Sequence, residues 1–132
     1  MELLTTEPVI AKVDNELRIV LENIYFDFNK WNVKEESFIS LNKIIKVLKD
    51  HPEMTLAINA HTDNKGRDSY NLGLSQKRAV SAVKYLIKNG ISKKRLQSNG
   101  FGETKPLVDC KNDCSDEDLQ ANRRVEFVIL KE

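Results

Sequence analysis

Between His61 and Ala79 the chain reads HTDNKGRDSYNLGLSQKRA, its densest run of polar residues in positions that carry meaning. Asp63 stands near the start of this run and Arg78 near its end. A carboxylate and a guanidinium held on rigid elements have two uses. They can pair with each other as a structural salt bridge, or they can hold the two poles of one zwitterion. In the second case the carboxylate accepts from an ammonium and the guanidinium fork donates to a carboxylate. Spacing alone leaves both uses open. His61 suggests a base or a metal ligand, but no second histidine lies nearby in sequence. The chain has neither a nucleophile-elbow pattern nor a His-Glu-x-x-His helix. No triad or open metal site is assembled, so His61 is read as orienting the turn at Asp63, and the chain is not read as an enzyme.

The elements that must position these residues follow from periodicity. Thr55 to Ala60 alternates as a strand and delivers the polar run. A helix from about Arg67 to Asn89 leaves it, burying Ala79, Val83 and Leu86, with Gly90 left-handed at its end. Upstream, Val9 to Val13 forms a short strand, followed by a turn at Asp14-Asn15-Glu16. Leu17 to Phe28 reads as a long strand whose apolar phase slips near Glu22-Asn23, the mark of a bulge. Asn32 and Glu35 are suited to capping a helix that runs to Asp50, with Phe38, Leu41, Ile45 and Leu48 inward; His51-Pro52 ends it. Downstream, Arg95 to Phe101 is a strand, Gly102 to Gln120 a long polar loop, and Arg123 to Leu130 a last strand. Two helices between strands imply crossover connections and some parallel pairing.

The motif text is more specific. His61-Thr62-Asp63, Gly66, Tyr70-Asn71, Leu74-Ser75 and Arg78-Ala79 together resemble the signature of the OmpA-like C-terminal domain, related to Pal lipoproteins and flagellar stator wall-binding domains. Ile24 to Phe28, Gly100 to Leu107 and Ala121 to Phe127 match in the same order, so the resemblance covers about residues 17 to 130. It implies an α+β fold, a βαβαββ sandwich with a mixed sheet and two main helices on one face. Residues 1–16 would be an N-terminal extension or short strand, and 17–132 the OmpA-like domain.

The resemblance also implies a function. Such domains bind peptidoglycan non-covalently through the meso-diaminopimelate of the stem peptide, whose free end carries an ammonium and a carboxylate on one carbon. Asp63 would receive the ammonium and Arg78 the carboxylate. Asp27 and Phe28 would line the pocket, Thr62 would hydrogen-bond beside Asp63, and Asn71 would contact the ligand or hold the loop. Leu72 would give an apolar wall, and Arg124 would sit behind or beside the pocket. Trp31 is open between stapling the first helix and walling the pocket mouth. The implied setting is periplasmic, with a segment before residue 1 anchoring an outer-membrane protein to the wall. The alternatives are a structural or dimerisation domain without wall binding, and a peptidoglycan-processing enzyme.

Composition bounds this reading. A chain of 132 residues with a formal net charge of +1 suits one domain and lacks the basic excess that nucleic acid would require. No apolar run is long enough to span a membrane, and the first residues lack a signal peptide's basic start and apolar core, so the chain is either cytosolic or an excised piece of an exported protein, and the resemblance favours the second. Cys110 and Cys114 can form a small disulfide, two free thiols or half of a metal site. Zinc needs four ligands, and only His51 and His61 remain to supply them, so no metal or other cofactor is expected; a disulfide fits an oxidising compartment. The acidic, cysteine-bearing insert resembles versions in Bacteroidetes-type outer-membrane proteins.

Overall fold

The computed structural model describes residues 9–13, 15–21, 24, 26, 30–109 and 113–132. Its strands are β1 (Val9–Val13), β2 (Glu16–Val20), β3 (Thr55–His61), β4 (Leu96–Gly102) and β5 (Arg124–Lys131). The helices are α1 (Phe38–Asp50), α2 (Asp68–Lys88) and a short α3 (Asp116–Asn122). One mixed sheet runs in the order β1-β2-β5-β3-β4, with only β3 and β4 parallel. The parallel pair is the one that α2 connects, as a crossover connection requires. The β1–β2 hairpin turns through Asn15 at φ 66°, a left-handed value that asparagine tolerates.

Alternation along the strands sorts the sheet into two faces. Leu56, Ile58 and Ala60 of β3 share a face with Phe127 and Ile129 of β5 and with Ile19 of β2. Leu41, Ile44, Ile45 and Leu48 of α1, and Ala79, Ala82 and Leu86 of α2, close over them as one core. The other face carries a polar ladder: Asn99 donates to Asn59 at 2.9 Å, and His61, Glu126, Arg18 and Arg124 meet there. An apolar face under helices and a hydrogen-bonded polar face are what period-two alternation builds.

Three expectations change. Among the described residues of the expected Leu17–Phe28 strand, β2 ends at Val20; beyond it Ile24 is buried and Phe26 makes an isolated bridge with Val33. The slip at Glu22-Asn23 lies outside the described residues. Asn32 does not cap the first helix: α1 is entered through a 3-10 turn at Glu35–Ser37 without a side-chain cap, because the Phe26–Val33 bridge fixes the approach. Finally, the expected loop of 102–120 contains α3. Ser115 and Asp118 form a reciprocal capping box, which satisfies two end groups of a helix too short to stand by propensity. The end of α2 is as expected: Gly90 has φ 101° and the Ile91 N–H reaches the Leu86 carbonyl at 3.1 Å.

The packing of α2 on β4 sets the site. A Cβ built on Gly100 would lie 2.3 Å from the Gln76 backbone nitrogen and 2.6 Å from its Cα. Ser75 Oγ, wholly buried, donates to the Leu72 carbonyl and accepts from the Gly102 N–H, both at 2.9 Å. The helix therefore touches the strand backbone to backbone. Because backbone cannot give way as a flexible side chain does, Gly100→Ala should destabilise the domain by at least ~2 kcal/mol, read as a lower urea midpoint.

Candidate functional site

A cavity of about 590 Å³ opens at the end of the sheet, where β3 exits and α2 begins. Ala60, His61, Asp63 and Lys65 line it from the β3 outlet; Tyr70, Asn71, Leu74 and Arg78 line it from α2. Ile24, Phe26, Lys34 and Glu36 close a second side, and Gln120, Arg123, Arg124 and Val125 a third. Asp63 and Arg78, far apart in the chain, thus share one wall-to-wall space, and each is less than a tenth exposed.

Asp63 is fixed by its own turn. Its Oδ1 accepts from the Lys65 N–H at 2.9 Å, and the Thr62 hydroxyl donates to the Asp63 carbonyl at 2.9 Å. Asn71 Nδ2 donates to the Lys65 carbonyl at 2.8 Å and to Glu103 Oε1 at 3.2 Å, so α2 holds the loop closed. Asp63 Oδ2 accepts from Arg123 Nη1 at 2.6 Å. The ion pair that Asp63 makes is therefore with Arg123.

Arg78 is held differently. Its Nε donates to the Lys30 carbonyl at 2.8 Å, and its guanidinium lies 4.8 Å from the centre of the Phe26 ring. A ring face under a guanidinium is a favourable cation–π arrangement. Burial lowers the guanidinium's pKa; the Tyr70 charge raises it, the Arg123 charge lowers it, and the Asp63 charge raises it. Arginine remains cationic under such shifts, so a buried fixed charge faces the cavity.

Arg124 belongs to both the cavity rim and the polar ladder. Its Nε donates to Glu126 Oε2 at 2.9 Å and its Nη2 to the Lys105 carbonyl at 3.0 Å. Glu126 also accepts from Arg18 at 3.1 Å and hydrogen-bonds the buried His61 Nε2 at 3.1 Å. His61 stacks on Phe101 with ring centres 5.2 Å apart. These contacts pin the last residue of β3, two positions before Asp63, so His61 is a scaffold residue at this point.

The other expected site residues fall in varied places. Asp27 and Phe28 lie outside the described residues. Thr62 is buried but lines a smaller neighbouring cavity of about 210 Å³ with Asn64, Glu103 and Asn122. Leu72 is half exposed and is not on the cavity lining, since its backbone faces Gly102 while Leu74, one half-turn on, lines the cavity. Trp31 is exposed under the Lys77 ammonium, 4.3 Å from its ring centre, and does not line the cavity. Cys114 is disulfide-bonded, and Cys110 lies outside the described residues. Among the described residues no group of three or more His, Cys, Asp or Glu side chains could hold a metal.

Arg123, Phe26 and Lys65 were missed from sequence. Asn122 shows how Arg123 is placed: its Oδ1 accepts from the Leu107 and Val108 N–H groups at 2.7 and 2.9 Å, and its Nδ2 donates to the Val108 carbonyl at 2.9 Å. This buried amide locks the end of α3 to the preceding loop, and the next residue is delivered to Asp63.

Comparison with known proteins fits this geometry. The OmpA family model matches residues 25–119. The chain belongs to the OmpA family. Domains of this family are binding and structural modules, not enzymes. Outer membrane porin F of Pseudomonas aeruginosa is 35% identical over 127 residues, covering 95% of this chain and 34% of that protein. A match of 41% identity over 114 residues covers 84% of this chain but 13% of photosystem I P700 chlorophyll a apoprotein A2 of Gloeobacter violaceus. The chain thus spans about a third or less of these curated relatives. Among solved structures, the peptidoglycan-associated lipoprotein of Burkholderia pseudomallei superposes with a TM-score of 0.73 at 29% identity, covering 81% of this chain and 88% of that one. The mixed α+β architecture is the one these neighbours share.

The polar ladder has a pH signature. Burial raises the Glu126 pKa, but hydrogen bonds and charge from His61 and Arg124 outweigh it and bring the carboxyl down to about 2. A carboxylate with a depressed folded-state pKa adds stability above its unfolded pKa, near 4.5, and that stability is lost as pH falls towards the folded value. Stability followed by urea titration should therefore decline between about pH 4.5 and 2. Glu126→Gln should flatten that decline and lower stability at neutral pH, where it removes the carboxylate that Arg124 and His61 share and leaves Arg18 with Glu16 alone among the ion pairs described.

Proposed function

We propose that this domain binds peptidoglycan non-covalently through the meso-diaminopimelate of the stem peptide, tethering an outer-membrane protein to the cell wall in the periplasm. The observation that carries the reading is the placement of Asp63 and Arg78, buried and of opposite charge, on one open cavity. The free end of diaminopimelate bears an ammonium and a carboxylate on a single carbon. Asp63 would accept from the first and Arg78 would donate to the second, and each contact would be charge-assisted in a site partly removed from water. The structurally similar lipoprotein named as peptidoglycan-associated supports the same ligand class.

Phe26, Ile24 and Leu74 supply apolar surface for the methylene chain that leads from the zwitterion back to the peptide. Asn71 ties the Asp63 loop to α2 through the Lys65 carbonyl. Recognition requires no bond making, and modest affinity suffices where many copies meet one continuous polymer.

The test is co-sedimentation with purified sacculi together with titration of a soluble diaminopimelate stem peptide. Asp63→Ala and Arg78→Ala should each reduce binding by at least about tenfold, the order expected for loss of one buried charge-assisted contact. Circular dichroism should show the same fold as the parent. Undiminished sedimentation of either folded variant would remove the assignment.

A further inference from the structure

Arg123 occupies the place on Asp63 that the proposed function gives to the ligand's ammonium. Its Nη1 lies 2.6 Å from Asp63 Oδ2, and its Nη2 donates to Gln120 Oε1 at 2.9 Å. Its side chain is 42% exposed, whereas that of Asp63 is 10% exposed. The acid is fixed and the base is at the mouth. Both Arg123 and Arg78 line the cavity, and the charge of Arg123 acts on Arg78. Two guanidiniums therefore face the same cavity as the Asp63 carboxylate, with Glu36 also on its lining.

On the reading above, we infer that Arg123 is a specificity residue that exchanges partners: the ligand's ammonium takes Asp63 Oδ2, and the displaced guanidinium joins Arg78 on the ligand's carboxylate. Displacement costs the domain its Asp63–Arg123 ion pair. A ligand that offers a carboxylate next to its ammonium returns an equivalent pair to Arg123. A ligand that offers only an ammonium returns nothing, and Arg123 then competes with it for Asp63. The same arginine thus favours zwitterionic ends and opposes simple amines, which combines an attractive and a repulsive element in one side chain.

Two soluble stem peptides separate these effects: one ending in diaminopimelate, and one with lysine in its place, which keeps the side-chain ammonium but lacks the adjoining carboxylate. Titration calorimetry of the parent should show tighter binding of the diaminopimelate peptide. Arg123→Gln should weaken that binding by about tenfold and leave lysine-peptide binding unchanged or stronger, so that the ratio between the two collapses. Arg123→Lys, which keeps the charge without the fork, should recover part of the ratio. Urea unfolding of both variants confirms that the end of α3 is intact. An unchanged ratio in Arg123→Gln, or a rise in its affinity for the diaminopimelate peptide, would overturn the inference while leaving the wall-binding reading in place. Failure of the folded parent to bind either peptide would overturn both.

Discussion

The site depends on how closely α2 can approach β4. At Gly100 and Gly102 the helix backbone sits where side chains would ordinarily intervene, and Ser75 and Gln76 bridge what remains by hydrogen bonding to the strand's N–H groups. The parallel β3–β4 pair and α2 thereby become one rigid unit. Asp63 leaves the end of β3, and Arg78 sits three turns into α2, so their separation is set by this packing and not by any contact between the two charges. A helix displaced outward by one methyl group would carry Arg78 away from Asp63 and open the Phe26 contact.

The polar face of the sheet does complementary work. Strands β3 and β5 pair antiparallel, and their outward residues at the cavity end are His61 and Arg124, which share Glu126. Burying this much charge is tolerable because each group has partners of opposite sign or a carbonyl to donate to. The ladder fixes the strand ends, and the cavity charges are then presented from those ends and from the body of α2 on a scaffold that has little freedom to collapse onto them. The apolar face supplies stability, and the polar face supplies position.

Much of this was legible in the sequence, for reasons that can be named. Strand β3, helix α2 and its glycine stop follow from alternation, helical spacing and end chemistry. Asp63 and Arg78 stand in a motif run long enough to be distinctive. Helix α3 was read as loop because Leu119 is its only buried apolar side chain, which gives no periodicity; the signal it did offer was Ser115 with Asp118 three residues later. Arg123 and Arg124 could not be told apart by pattern, since adjacent strand-entry arginines look alike. What separates them is that Arg124 is the first residue of β5 and follows the strand's alternation, while Arg123 stands before it, at the end of α3, and is free of that constraint. The pairing choice of Asp63 depends on three elements brought together by the fold, so no local reading could supply it.

The choice of Arg123 also follows from the burial of Asp63. A carboxylate as buried as Asp63 needs a counter-charge within hydrogen-bonding reach, since a buried ion without one costs several kcal/mol. Arg78 cannot serve, because its Nε is committed to the Lys30 carbonyl and its plane lies against Phe26. If it swung to Asp63, the cavity would close on itself and present no charge to a ligand. A partner reaching in from α3 solves both problems. It neutralises the acid, and it leaves Arg78 in place against Phe26 and the Lys30 carbonyl. Because its side chain is substantially exposed, water solvates it as it leaves, so its release costs much less than breaking a fully buried pair would.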